Sequence, residues 1–283
     1  MLRETQTDYA MNASQSFPSF EEHLPFLDQF IPELVEAYHT EKINSWDELD
    51  REVKAFFTSE RMEQMETLVP GWKKMASFVD GVTLTHVMCV FLGLYMMPEF
   101  LDMSEEQKEI MKWVILLHDV EKQSQEGKRD YAHAFRSAAG AARILPDLGF
   151  PVTPDYDLVI EDWDSFTRSA VTKLEKSPDE VQDNNKLPEI LLGIERMFGR
   201  HTSADLIIKT ILFHLSVNMK EWPPPNPLNQ EEIKRYIDPE LLPLLRVMNL
   251  GDNDGWTLFE PAVREQQRLD IIEEFEKIEK IIS

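Results

Sequence analysis

The chain has 283 residues, 42% of them hydrophobic, and carries 52 acidic against 29 basic side chains for a formal charge of -23. That charge repels nucleic-acid backbones and anionic membranes at long range, so a polymeric nucleic acid is disfavoured as a partner while a small phosphorylated metabolite stays admissible. Cys89 is the single cysteine, which excludes an internal disulfide and a thiolate metal cluster and fits a reducing cytosol.

Residues 1 to 16 are polar without an apolar period, which predicts a frayed or disordered start. No basic-then-apolar leader is visible, and the longest apolar stretches are interrupted before the ~20 residues a bilayer requires, so a soluble cytoplasmic protein is expected. Leu24, Leu27, Phe30, Ile31, Leu34 and Val35 recur at helical spacing between Phe20 and His39. Ser45 and Glu48 have the form of a capping box that starts a helix toward Phe57. His23 and His39 are expected at the surface. These segments make an N-terminal helical extension over residues 1–74, which covers the following domain or supplies a homodimer surface.

A helix carrying His86 should end near Pro98, and Ser104 with Glu105 and Glu106 should cap the next one. In that helix Ile110, Val114, Leu117 and His118 fall at i, i+4, i+7 and i+8, so the histidine points inward with the apolar stripe. Residues 132–145 are rich in alanine, which permits close packing around His133. Prolines 151, 154, 178 and 188 punctuate an acidic stretch at about residues 151–200, read as an insertion that is either a lid or a solvated outer helix pair. Ile207, Ile211 and His214 share a face, and a rigid proline loop from Trp222 to Pro227 follows; His201 reads as a loop or pocket residue. Leu269, Ile272, Phe275, Ile278, Ile281 and Ile282 predict a terminal amphipathic helix packed on the domain. No segment has a convincing period of two, so the expected fold is all-α.

His118 and Asp119 close the apolar run from Trp113, and burying an imidazole beside a carboxylate is costly unless a cation takes up their lone pairs. With His86 upstream and Asp252 far downstream, this ordered set resembles the HD-domain superfamily of metal-dependent phosphohydrolases. Lys122 completes the His-Asp-x-x-Lys form common there, and His133 and His214 resemble the two further histidines of members with two metals. The resemblance spans roughly residues 75 to 255. It implies an HD-domain helical bundle, with the metal-dependent domain over residues 75–283.

By this resemblance His86, His118, Asp119 and Asp252 bind a first ion, and Asp119 bridges to a second held by His133 and His214. Lys122 and Arg136 would steady the phosphate, and a metal-activated water would attack phosphorus. Imidazoles and carboxylates suit Mn, Fe, Co, Ni, Zn and, more weakly, Mg, so the ligand types limit the ion, one or two per chain, without choosing it. The implied substrate is a nucleotide or another small phosphate ester. Asp254 is an alternative to Asp252, and Asn249 could occupy the last ligand position. Two other functions stay open: an HD-fold di-iron oxygenase, related to inositol oxygenase, and a catalytically silent ligand-sensing module.

Overall fold

A computed structural model describes residues 18–123, 130–173, 179–220 and 224–283. The polar start at residues 1–16 and the Trp222-Pro223 part of the proline loop lie outside the described residues, as does Pro178. What is described is all-α apart from one short hairpin.

Helices α1 (Phe20–His23), α2 (Pro25–His39), α3 (Trp46–Phe56) and α4 (Ser59–Leu68) form the N-terminal part. Ser45 accepts a hydrogen bond from the Glu48 N–H, and the Glu48 carboxylate reaches back to the N–H of Asn44, so two donors at the start of α3 are satisfied. Phe20, Leu24, Leu27, Ile31 and Leu49 are fully buried in the same apolar core as Trp113 and Phe213, so the extension completes that core. His23 is only half-exposed: it bonds the Ser19 carbonyl and packs edge-on against Trp113, unlike the surface residue expected.

The next run, α5 (Trp72–Ser77) and α6 (Val82–Tyr95), is long and apolar enough in composition to span a membrane, but it is mostly buried inside the protein, 72% of its 18-residue apolar window being covered. It is also broken at residues 78–81, where Val79, Asp80 and Gly81 all take positive φ. Beyond α7 (Pro98–Leu101), α8 (Glu105–Leu117) opens with a full capping box between Ser104 and Gln107 and buries Trp113, Val114, Ile115 and Leu116 completely. Truncating a fully buried tryptophan such as Trp113 costs about 3–5 kcal/mol.

Next come α9 (His133–Ile144) and α10 (Tyr156–Ser169), then strands β1 (Val171–Lys173) and β2 (Glu180–Gln182) and helix α11 (Leu187–Phe198). The antiparallel strands pair Val171 with Gln182 and Lys173 with Glu180. A hairpin of three-residue strands is too short to show an alternating pattern, which is why no strand is expected from the sequence. Helices α10 and α11 pack together as an outer pair. Trp163 donates to the Ile190 carbonyl at 2.8 Å, and Gly193 lets the indole in, since a Cβ there would stand 2.0 Å from Trp163 Cδ1.

Helices α12 (Ser203–Phe213), α13 (Gln230–Tyr236), α14 (Leu241–Thr257) and α15 (Pro261–Ile282) complete the chain, with α14 against α6 and α15 against α14. In α15 the buried face is Ile271, Phe275 and Ile278, at i, i+4 and i+7. Leu269, expected on that face, points outward and is exposed.

Candidate metal centre

Five segments converge on one buried point. Helix α6 brings His86 from its middle, the C-terminal end of α8 brings His118 and Asp119, and α9 brings His133 from its first position. His214 caps the end of α12, and Asp252 comes from α14, whose continuous helix carries the 251–255 stretch that could have been a turn. Glycine allows α14 to approach α6. A Cβ on Gly255 would lie 2.6 Å from His86 Cε1, and one on Gly93 would lie 2.8 Å from Asp254 Cβ.

His118, His133 and His214 are held alike. Each Nδ1 faces the carbonyl oxygen three residues earlier: Ile115 at 2.8 Å, Ile211 at 2.7 Å, and Asp130 in the third case. A carbonyl only accepts, so each Nδ1 carries the proton, and in a neutral ring Nε2 is then a bare lone pair. Those lone pairs meet. The Nε2 atoms of His133 and His214 stand 3.1 Å apart, His133 Nε2 lies 2.9 Å from Asp119 Oδ1, and His118 Nε2 lies 3.5 Å from Asp119 Oδ2 and 3.8 Å from Asp252 Oδ1. His118 Nε2 and Asp119 Oδ1 are buried without any hydrogen bond.

Acceptors facing acceptors in a dry interior repel one another unless a cation lies among them. The donor set therefore fits a metal ion. His86, His118 and Asp119 form one group able to hold an ion, and Asp119, His133 and His214 form a second, with Asp119 common to both.

His86 differs from the other three rings. Its Nε2 lies 2.9 Å from Asp252 Oδ1 and 3.8 Å from Asp119 Oδ2, while its buried Nδ1 has no partner. Without an ion its proton is best placed on Nε2, shared with Asp252; as a ligand it would carry that proton on Nδ1 instead.

Asp252 is the downstream carboxylate that joins the imidazoles. Asp254 is fully buried but turned to α15, where Arg264 at 2.6 Å and Arg268 at 2.9 Å neutralise it. Asn249 donates its side-chain amide to the Leu245 carbonyl at 2.9 Å.

Lys122 lies beyond the end of α8, in a turn closed by its own N–H on the Asp119 carbonyl. The helix does not continue to it, yet Nζ reaches Asp119 Oδ2 at 2.6 Å. Arg136 is engaged differently: its guanidinium pairs with Asp130, which also offers its carbonyl to His133, so this arginine orients a histidine through a shared partner. His201 is in a loop beside Glu240 at 2.9 Å, outside the cluster, and Cys89 is buried in the core. His39 is exposed.

Burial pushes the His214 ring down to about 3, helped by His133 and His118, and it lowers His118 against the pull of Asp119 and Asp252. Burial opposes the charge on Asp119 and on Asp252. Even so, Lys122 and the imidazoles hold Asp119 well below the ordinary carboxylate range, and the hydrogen bond and charge of His86 hold Asp252 low. The Lys122 ammonium is disfavoured by burial but raised overall by Asp119 and Asp252. Ligand atoms free of protons are what a metal requires.

Two neighbours escape the sequence reading. Trp256 stacks on His86 with ring centroids 4.1 Å apart and planes 16° apart, and Asp130 orients His133. Trp256 is four residues past Asp252, a signal visible only once the stretch is read as helix. Asp130, three residues before His133, carries no helical signal because it precedes α9. No family model, no curated protein and no solved structure matches the chain.

Proposed function

We propose that this protein is an HD-type, metal-dependent hydrolase of small phosphate esters that works in the cytosol. The observation that carries the reading is the sharing of Asp119 between two groups of metal-ligating atoms, with a lysine bonded to the same carboxylate. His86, His118, Asp119 and Asp252 would hold one ion and Asp119, His133 and His214 a second. A divalent ion in such a site supplies a water of lowered pKa and a Lewis acid for a phosphoryl oxygen.

The chain's own residues do the rest. The carbonyls of Ile115, Asp130 and Ile211 fix three imidazoles in the tautomer that leaves Nε2 free. Lys122, bonded to Asp119 in the cluster, would bind a phosphoryl oxygen while Asp119 keeps it charged. Arg136 would act through Asp130 on His133 and would not contact phosphate. Water is excluded from the histidines, which are buried, and reaches the cluster through Asp252, whose side chain is 27% exposed.

The test is metal analysis of protein purified without chelator, followed by a panel of phosphomonoesters and diesters with Mn, Co or Ni. Release of phosphate or of a monophosphate, abolished by chelation, is the expected result. Tightly bound iron with oxygen consumption would replace the reading by an oxygenase, and metal-free protein inert to every ester would replace it by a sensing module.

A further inference from the structure

His118 and His214 stand at the ends of their helices, where the last carbonyls have no helical donor, and each ring takes one of these, from Ile115 or Ile211. His133 uses the carbonyl of Asp130, just ahead of α9. His86 has no such clamp. It lies inside α6, whose carbonyls are engaged by the helix itself, and its buried Nδ1 meets no acceptor among the described residues. Its bond from Nε2 to Asp252 is the one it gives up on becoming a ligand, so that bond cannot be what holds the ring for an ion.

What fixes the plane of His86 is an aromatic contact. Trp256 lies on the imidazole face with centroids 4.1 Å apart and planes 16° apart, so the ring cannot swing about its Cβ–Cγ bond without striking the indole. Trp256 is 46% exposed, and filling the core therefore does not account for its place. Its own position is set from α3. Trp46, the first residue of that helix, stacks on Trp256 with centroids 5.8 Å apart and planes 9° apart. One turn further along α3, Asp50 accepts a hydrogen bond at 2.6 Å from Thr85, the residue before His86. The N-terminal extension thus reaches His86 by two routes, through the ring stack and through its chain neighbour.

We propose that Trp256 is a positioning residue for His86, taking the role that main-chain carbonyls play for the other three rings, and that α3 belongs to the metal centre by holding Trp256 in place. The stack keeps Nε2 directed at Asp252 and Asp119, the carboxylates with which it would share an ion. The proposal rests on the metal-binding part of the reading above and is independent of the reaction.

The experiment compares full-length wild type with Trp256→Leu, Trp256→Phe and Trp46→Leu. Leucine and phenylalanine both supply apolar bulk, but only phenylalanine offers a flat face, so a packing role would treat the two alike. Cobalt(II) is titrated into chelator-stripped protein, its visible absorption is recorded as a measure of ligand geometry, and the urea unfolding midpoint of each metal-free protein is measured. Trp256→Leu should weaken one cobalt ion about ten- to a hundredfold and alter its absorption, the range expected when a group that orients a ligand is lost. Trp256→Phe should return that ion to within about threefold of wild type, and Trp46→Leu should weaken it by a smaller factor than Trp256→Leu.

Wild-type cobalt affinity and absorption in Trp256→Leu overturn the proposal and leave the metal centre standing. Equal losses in Trp256→Leu and Trp256→Phe, or a loss that follows a lowered unfolding midpoint and spreads over every bound ion, mark plain packing and overturn it too. Wild type that binds no cobalt removes the metal reading and this proposal together. Should the Trp256 variants fail to fold, Trp46→Leu decides, since it leaves the His86 contact in place; unchanged cobalt affinity and absorption there overturn the proposal.

Discussion

Gly255 lies flat against His86: a methyl group on its Cα would stand 2.6 Å from Cε1 and 2.7 Å from Nδ1 of the imidazole. The contact is closer than any real side chain tolerates, so glycine there sets both the helix crossing and the ring position. Gly255→Ala should cost about 1–3 kcal/mol by overpacking and should also lower metal retention. Gly251→Ala, whose Cβ would meet Val90 Cγ1 at 3.3 Å, should keep its metal. Urea unfolding and metal analysis of both variants check this, and metal loss in Gly251→Ala alone would contradict it.

His133 and His214 distinguish a one-ion from a two-ion centre. His133→Ala and His214→Ala should each reduce bound metal from about two per chain to about one, whereas His118→Ala and Asp119→Ala should remove most of it. Stoichiometric metal in the Asp119 variant would exclude the shared site.

Asp252 and Asp254 lie two residues apart and should behave oppositely. Asp254→Asn leaves Arg264 and Arg268 without their buried partner, so it should destabilise the fold by about 3 kcal/mol with normal metal content in the folded protein. Asp252→Asn should lose metal with a smaller effect on the unfolding midpoint. A reversal of these two outcomes would move the ligand to Asp254.

The metal-free protein should lose stability below neutral pH. An unfolded histidine titrates near ~6.5, whereas burial holds His214 at about 3, so between these values the unfolded chain binds the extra proton. Stability from this ring is full above ~6.5 and falls by up to about 1.4 kcal/mol per pH unit as the pH drops toward 3. His118 is shifted the same way and adds to the slope. Asp119 and Asp252, both lowered, act only in the more acid window below their unfolded values. Unfolding free energies of chelated protein at pH 7.5, 6 and 5 should decline in that order; His214→Gln should flatten the decline, and a flat wild-type profile would count against this account.

The helices are legible because their signals are local, whereas the six converging side chains are expected as a set only from the resemblance, which leaves Asp252, Asp254 and Asn249 open for the last position. Ser45 and Ser104 are followed three residues later by Glu48 and Gln107, and Ile207, Ile211 and His214 keep one helical phase. Other features depend on what tertiary packing brings opposite. Nothing near Gly255 announces His86, which is 169 positions earlier, and the 251–255 stretch has the glycines and acidic residues of a turn while lying inside α14. Leu269 misled for a related reason: Ile271 and Ile272 offer two phases, and contact with α14 and α13 selects the one that leaves Leu269 outside.

The bond between Lys122 and Asp119 has a consequence for the order of events. Among the described residues, Asp119 and Asp252 bring two carboxylates to the cluster against the one ammonium of Lys122, and Arg136 is paired with Asp130. A phosphate approaching that cluster, in a chain of charge -23, is repelled. One divalent ion reverses the local sign and two make it strongly positive. On the hydrolase reading proposed above, metal would therefore load before ester, and chelated protein should fail to capture phosphate at all, not merely fail to turn it over.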